Sequence, residues 1–154
     1  MTERAEVGAG VADVDMSGRT VLVTGATSGI GRETALALGR LGARVLVHGR
    51  DRERGAAVVD ALASVGAEAS FHRADFASLD AVRGLADAVR ADCDGLDALV
   101  NNAGGYFTDA RLTDAGVEYT FAVNHLAPFL ITSRLLGLLR DGARIVTTAS
   151  AAHR

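Results

Sequence analysis

Thr24-Gly25-Ala26-Thr27-Ser28-Gly29-Ile30-Gly31 decides the fold, with the apolar run Thr20-Val21-Leu22-Val23 leading into it. A helical pattern leads out, from Arg32 to Leu41, with Ile30, Thr34, Leu38 and Leu41 at helical spacing and Gly42 as its stop. Strand, glycine-rich turn and helix together place backbone N–H groups around a pyrophosphate at a helix N-terminus. Gly25 permits the tight turn, Gly29 lets backbone approach phosphate, and Gly31 allows helix to pack closely on strand. The spacing is G-x-x-x-G-x-G. By itself it is also compatible with a βα turn that binds nothing.

The pattern repeats outward from this loop. Strands are expected at Thr20–Thr24, Arg44–His48, Glu68–His72, Ala98–Val100 and Arg144–Thr148. Helices are expected over about Arg52–Ser64, over the apolar positions Leu79, Val82, Leu85, Ala86 and Val89, and over about Asp114–Leu139. Strands that alternate with helices and read as continuous apolar runs argue for a parallel sheet covered on both faces. Residues 1–17 show neither period and are expected to form a loose arm, leaving 18–154 as one domain.

Composition excludes several classes. The 154 residues are 49% hydrophobic and 23% charged, an ordinary globular balance, with a net charge of −3 that gives no nucleic-acid patch. One cysteine, Cys93, allows no internal disulfide framework, and the four histidines show no metal-ligand spacing. The first residues carry no secretory pattern. No apolar run is expected to span a bilayer, and Phe121–Leu139, interrupted by Asn124, His125, Ser133 and Arg134, is taken as a buried helix. The expectation is therefore a cytoplasmic protein with neither nucleic-acid nor membrane partners.

Four further positions carry possible chemistry. At the end of the second strand, His48-Gly49-Arg50 offers no carboxylate and one bidentate donor, a pattern that favours a 2′-phosphate. Arg32 can add a second positive charge, while Asp51 can cap the following helix. This favours NADP(H), with NAD(H) as the second choice. Asp75-Phe76 follows the third strand, and Asp75 is either an adenine acceptor or a helix N-cap. Asn101-Asn102-Ala103-Gly104 closes the fourth strand, where small Ala103 and Gly104 would let backbone lie against a ribose. Pro128 lies four residues after Asn124, whose carbonyl thereby lacks its helical partner. Tyr106 and Phe107 are read first as loop anchors.

In order along the chain, Thr24-Gly25-x-x-x-Gly29-Ile30-Gly31, Asp75, Asn101-Asn102-Ala103-Gly104, Asn124 and Ser150 resemble the short-chain dehydrogenase/reductase family. The resemblance runs from about Ser17 to the last residue. Gly31-Arg32-Glu33-Thr34-Ala35 and Val123-Asn124-His125-Leu126-Ala127-Pro128-Phe129 look most like its retinol-dehydrogenase-like branch. The resemblance implies a doubly wound α/β fold of Rossmann type, with strand order 3-2-1-4-5 over the part present. It implies hydride transfer between a nicotinamide cofactor and an alcohol or carbonyl carbon of a small molecule. The cofactor residues it implies are Gly25, Thr27, Ser28, Gly29, Ile30, Gly31, Arg32, Arg50, Asp75, Phe76, Asn102, Ala103 and Gly104; the catalytic ones are Asn124 and Ser150, with no metal. It also implies a Tyr and a Lys in a Y-x-x-x-K motif shortly after the Ser, which these 154 residues do not contain. The chain alone is expected to be inactive, the alternative being a non-catalytic dinucleotide-binding module or a truncated gene product. Its fifth strand is expected to form an exposed edge that favours self-association.

Overall fold

The computed structural model describes residues 4–150. Five parallel strands form one sheet in the order β3-β2-β1-β4-β5. They are β1 (Thr20–Val23), β2 (Arg44–Gly49), β3 (Ala69–Arg73), β4 (Leu96–Asn101) and β5 (Leu139–Thr147). The helices between them are α2 (Gly29–Arg40), α3 (Arg52–Ser64) and α4 (Leu79–Asp92). The expected strand order and the bounds of α3 agree with this, and the other elements from 18 to 113 shift by only a few residues.

Alternation along the inner strands divides the core in two. Val21 and Val23 of β1, with Val45 and Val47 of β2, meet Ala35, Leu36, Val58 and Leu62 on the α2–α3 face. Leu22 and Leu46 point the other way, to Val82, Leu85 and Val89 of α4 and to Ile131 and Leu135. A period of two places successive side chains on opposite faces, so both layers are built from one short apolar run per strand.

Three expectations are corrected. The described part of the N-terminal arm is not loose: α1 (Ala5–Gly8) docks on α2, because buried Glu6 accepts two hydrogen bonds from Arg40, at 2.5 and 2.7 Å. The long helix expected from Asp114 begins at Tyr119, where Glu118 accepts from the N–H groups of Thr120 and Phe121. It is also not uniform. A short α turn, α5 (Tyr119–Phe121), passes through a π segment (Ala122–Leu126) into α6 (Ala127–Leu135) and a 3₁₀ turn (Leu136–Leu138). Pro128 sits in the first turn of α6, directly after the π segment, where a missing N–H is tolerated. β5 then begins at once, five residues earlier than expected, with a register irregularity opposite Leu96 and Ala98.

The third correction concerns Tyr119–Leu138, which is 20 residues long with a mean hydropathy of 1.2. By length and composition it is sufficient to cross a bilayer. In this fold its inner face, Ala127, Ile131 and Leu135, is fully buried in the core.

Candidate functional site

The carboxyl ends of β1, β2, β3 and β4 open into one cleft of about 500 Å³. Ligands of open α/β sheets bind at this edge. Among its lining residues are Gly25, Thr27, Ser28, Gly29, Ile30 and Gly31 from the glycine loop, and Asn102, Ala103 and Gly104 from the end of β4. Arg50, Asp75 and Phe76 line it from the β2 and β3 side. Twelve of the thirteen residues read from the sequence as cofactor-binding therefore come together here. Arg32 does not line the cleft. Its guanidinium is paired with Glu33 at 2.7 Å, a carboxylate one residue away that holds the charge locally.

The loop is fixed by contacts that need its glycines. The Thr24 hydroxyl donates to the Val100 carbonyl at 3.1 Å and accepts from the N–H groups of Asn102 and Ala103. The Asn102 amide donates to the carbonyls of Thr24 and Gly25, at 3.0 and 3.3 Å. This lacing draws the ends of β1 and β4 so close that a Cβ on Gly25 would lie 2.8 Å from the Ala103 Cα. Gly25 also has φ +64°, a conformation that side chains disfavour. A Cβ on Gly31 would lie 2.3 Å from both Asn102 Nδ2 and the Gly25 carbonyl oxygen. The free backbone surface facing the cleft, at the start of α2, fits a pyrophosphate.

Gly49 closes the next corner. A Cβ there would lie 2.3 Å from Thr27 Cγ2, so the side chain of Thr27 fills the space that an acidic residue at this strand end would need. The following residue, Arg50, lines the cleft with a guanidinium that makes no ion pair among the described residues. Asp51 accepts from the Arg54 N–H at 3.0 Å, capping α3 as the sequence predicts. Asp75 is not the N-cap of α4. Ser78 takes that place, and Asp75 instead accepts from the Ala77 N–H at 2.9 Å within the turn that faces the cleft.

The sequence reading missed His48. Its ring is buried, stacks on Phe76 at 4.5 Å between centroids, and lines the cleft. Nδ1 accepts from the Gly25 N–H at 3.3 Å, and Nε2 donates to the Ala74 carbonyl at 3.2 Å. Burial pushes its pKa down to about 4, against the upward pull of the Ala74 carbonyl, so the ring is neutral at pH 7 and this tautomer is the one both partners require. His48 thereby ties the glycine loop to the ends of β2 and β3. The available signal was a polar residue closing an otherwise apolar strand.

The other side of the cleft is looser. Phe107 lines it and Tyr106 does not, being 90% exposed. Phe107 meets Tyr119 edge-on at 4.9 Å, and the Arg111 guanidinium lies 3.6 Å from the centre of the Tyr119 ring. Asn124, within the π segment, accepts from the Gly105 N–H at 3.0 Å and donates to its carbonyl at 2.8 Å. It thus holds the turn after Gly104 and does not line the cleft. Just past the end of β5, Thr148 lines the cleft, and its hydroxyl reaches Asn102 Oδ1 at 3.4 Å. Ser150 lies two residues further on, outside the lining.

The chain matches the short chain dehydrogenase family model over residues 19–154 and belongs to that family. Its curated relatives place it in the retinol-dehydrogenase-like part of the family. It is 47% identical over 139 residues to a Streptomyces sp. (strain C5) protein assigned as daunorubicin C-13 ketoreductase DnrU, covering 90% of this chain and 48% of that one. Mouse retinol dehydrogenase 14 is 40% identical over 153 residues, with 90% and 46% covered. The chain therefore spans about half the length of the curated relatives it matches. Among solved structures, the NADP complex of Pseudomonas aeruginosa RhlG superposes with a TM-score of 0.79 at 34% identity, covering 90% of this chain and 57% of that one. Landomycin C-6 ketoreductase LanV, with bound NADP and rabelomycin, gives 0.80 at 35% identity, with 92% and 61% covered.

Proposed function

We propose that the protein is an NADP(H)-dependent oxidoreductase that moves a hydride between the nicotinamide and an alcohol or carbonyl carbon of a small apolar substrate. One observation carries the cofactor choice: the Gly49–Arg50 corner, where a side chain at 49 would have to displace Thr27 and Arg50 presents a guanidinium that makes no ion pair among the described residues. An acidic residue at this position would select a ribose 2′-hydroxyl; a guanidinium accepts a 2′-phosphate. Gly25, Ser28, Gly29, Ile30 and Gly31 would hold the pyrophosphate, Asn102, Ala103 and Gly104 the nicotinamide ribose, and Asp75 with Phe76 the adenine. Bound there, NADP(H) supplies or accepts the hydride.

The substrate side rests on fewer contacts. Asn124 fixes Gly105, and Phe107 offers an aromatic wall beside it. Ser150 would donate to the substrate oxygen, stabilising charge that develops there during transfer. Relatives named for a daunorubicin ketone and for retinol support a largely apolar substrate. The family's Tyr and Lys would act as the acid/base and its charge partner. The sequence contains no lysine, so we expect the 154 residues alone to bind NADP(H) without turnover. Two assays on the same preparation test the proposal: calorimetric titration with NADPH, and NADPH oxidation in the presence of apolar aldehydes and ketones. Binding without oxidation is expected for the 154 residues, and oxidation once a Y-x-x-x-K segment follows Ser150. Failure to bind NADPH would sink the functional reading, and turnover by the 154 residues would sink the assignment of an indispensable Tyr/Lys pair.

A further inference from the structure

The end of β3 grips the corner that the cofactor reading depends on. Gly49 and Arg73 are register partners at the ends of β2 and β3. The Ala74 N–H donates to the Gly49 carbonyl at 3.2 Å, and Arg73 Nε–H donates to the Arg50 carbonyl at 3.0 Å. The two peptide carbonyls that flank the turn out of β2 are thus both held from β3. A second hollow of about 250 Å³ lies here, lined by Arg50, Arg73, Ala74, Asp75 and Ala81. It shares Arg50 and Asp75 with the main cleft. The hydrogen bond occupies only Nε of Arg73. Its terminal nitrogens make no ion pair among the described residues, and the local charge is two guanidinium groups against the single carboxylate of Asp75.

From this geometry we infer that Arg73 is a specificity-determining residue for NADP(H): it positions Arg50 through the Arg50 carbonyl and adds a second positive charge at the adenosine 2′-phosphate. The inference rests on the NADP(H) reading above. Without the anchor, the Arg50 backbone is free to turn, and ordering it on binding costs part of the affinity its guanidinium gives. A ligand without the 2′-phosphate gains nothing from either effect. Arg73 therefore acts on one cofactor and not the other, which separates it from a residue that merely supports the fold.

Arg73→Ala and Arg73→Lys, with Arg50→Ala as reference, test this in the protein by calorimetry with adenosine 2′,5′-bisphosphate and with 5′-AMP as probes. Arg50→Ala is expected to weaken the bisphosphate by roughly a hundredfold, Arg73→Ala by about tenfold, and Arg73→Lys by less, because lysine keeps the charge. Binding of 5′-AMP should stay within about twofold throughout. A similar loss for both probes in Arg73→Ala, or a loss for neither, overturns the assignment of Arg73 and leaves the NADP(H) reading standing. A wild-type protein that binds the two probes equally overturns the NADP(H) reading, and this assignment with it. Should Arg73→Ala fail to fold, the ratio between the two probes in Arg73→Lys decides: a ratio equal to that of the wild type overturns the role.

Discussion

The two sides of the cleft are built differently. On the β1–β2–β3 side, backbone and side chains interlock to within van der Waals contact: Asn102 and Gly25 against Gly31, Thr27 against Gly49, and His48 between Gly25 and Ala74. On the β5 side, Ile145 and Val146 are 44% and 50% exposed, although β4 and β5 pair as regularly as the inner strands along Ala98–Asn101. The pairing of a strand and the covering of its faces are thus separate matters. The nucleotide-binding side is completed by elements that alternate with the strands on this stretch of chain, whereas the face of β5 receives little cover from the described residues.

That contrast predicts very unequal responses to substitution. The largest effect is expected at Gly31. Gly31→Val would drive a branched side chain into the Gly25 carbonyl and Asn102, abolishing NADPH binding and costing about 3 kcal/mol or more of stability, as overpacking against backbone does; calorimetry and thermal melting read both. Gly49→Ala comes next. It is expected to weaken NADPH by at least about tenfold, and Thr27→Ala in the same molecule should restore much of that loss, because the obstructing Thr27 Cγ2 is then gone. Equal affinities for the single and double variants would show that the corner is not sterically closed.

Acid should act on the interlocked side through His48. Its folded pKa of about 4 lies below the ordinary histidine value of about 6.5, so the stability of the neutral ring is present above pH 6.5 and is lost as the pH falls toward 4. The Gly25 anchor goes with it, since a charged ring cannot accept at Nδ1. His48→Asn, which cannot take up a proton, should flatten both stability and NADPH affinity over that range, as followed by chemical denaturation and titration at stepped pH. An unchanged acid limb would remove His48 from the account. The smallest effect is expected on β5: Ile145→Lys and Val146→Lys should change stability by about 0.5 kcal/mol or less, while lowering any self-association seen in sedimentation, because both side chains already meet solvent.

Much of this was legible in the sequence. The alternation of apolar strands and helices pointed to the sheet, and the motifs supplied twelve of the seventeen residues that line the cleft. What was not legible was three-dimensional coincidence. His48 acts because Gly25 and Ala74, far from it in sequence, converge on its two nitrogens. Arg73 lies at the end of a short strand, and nothing local connects it to Arg50. Helical periodicity continued through Ala122–Leu126, where the backbone widens into a π segment that a pattern of apolar residues does not register. Arg32 shows the opposite case: its place beside Gly31 suggested a second charge at the phosphate, but its side chain lies outside the lining and pairs with the neighbouring Glu33. The α1 anchor was missed because Glu6 and Arg40 are 34 residues apart and the turn they hold is four residues long.

The interlocked corner stands or falls on its cofactor choice. Side-by-side calorimetric titrations of the protein with NADPH and NADH measure this directly. Closure by Thr27 together with the free guanidinium of Arg50 predicts that NADPH binds at least about tenfold more tightly. Equal affinities, or a preference for NADH, would contradict it.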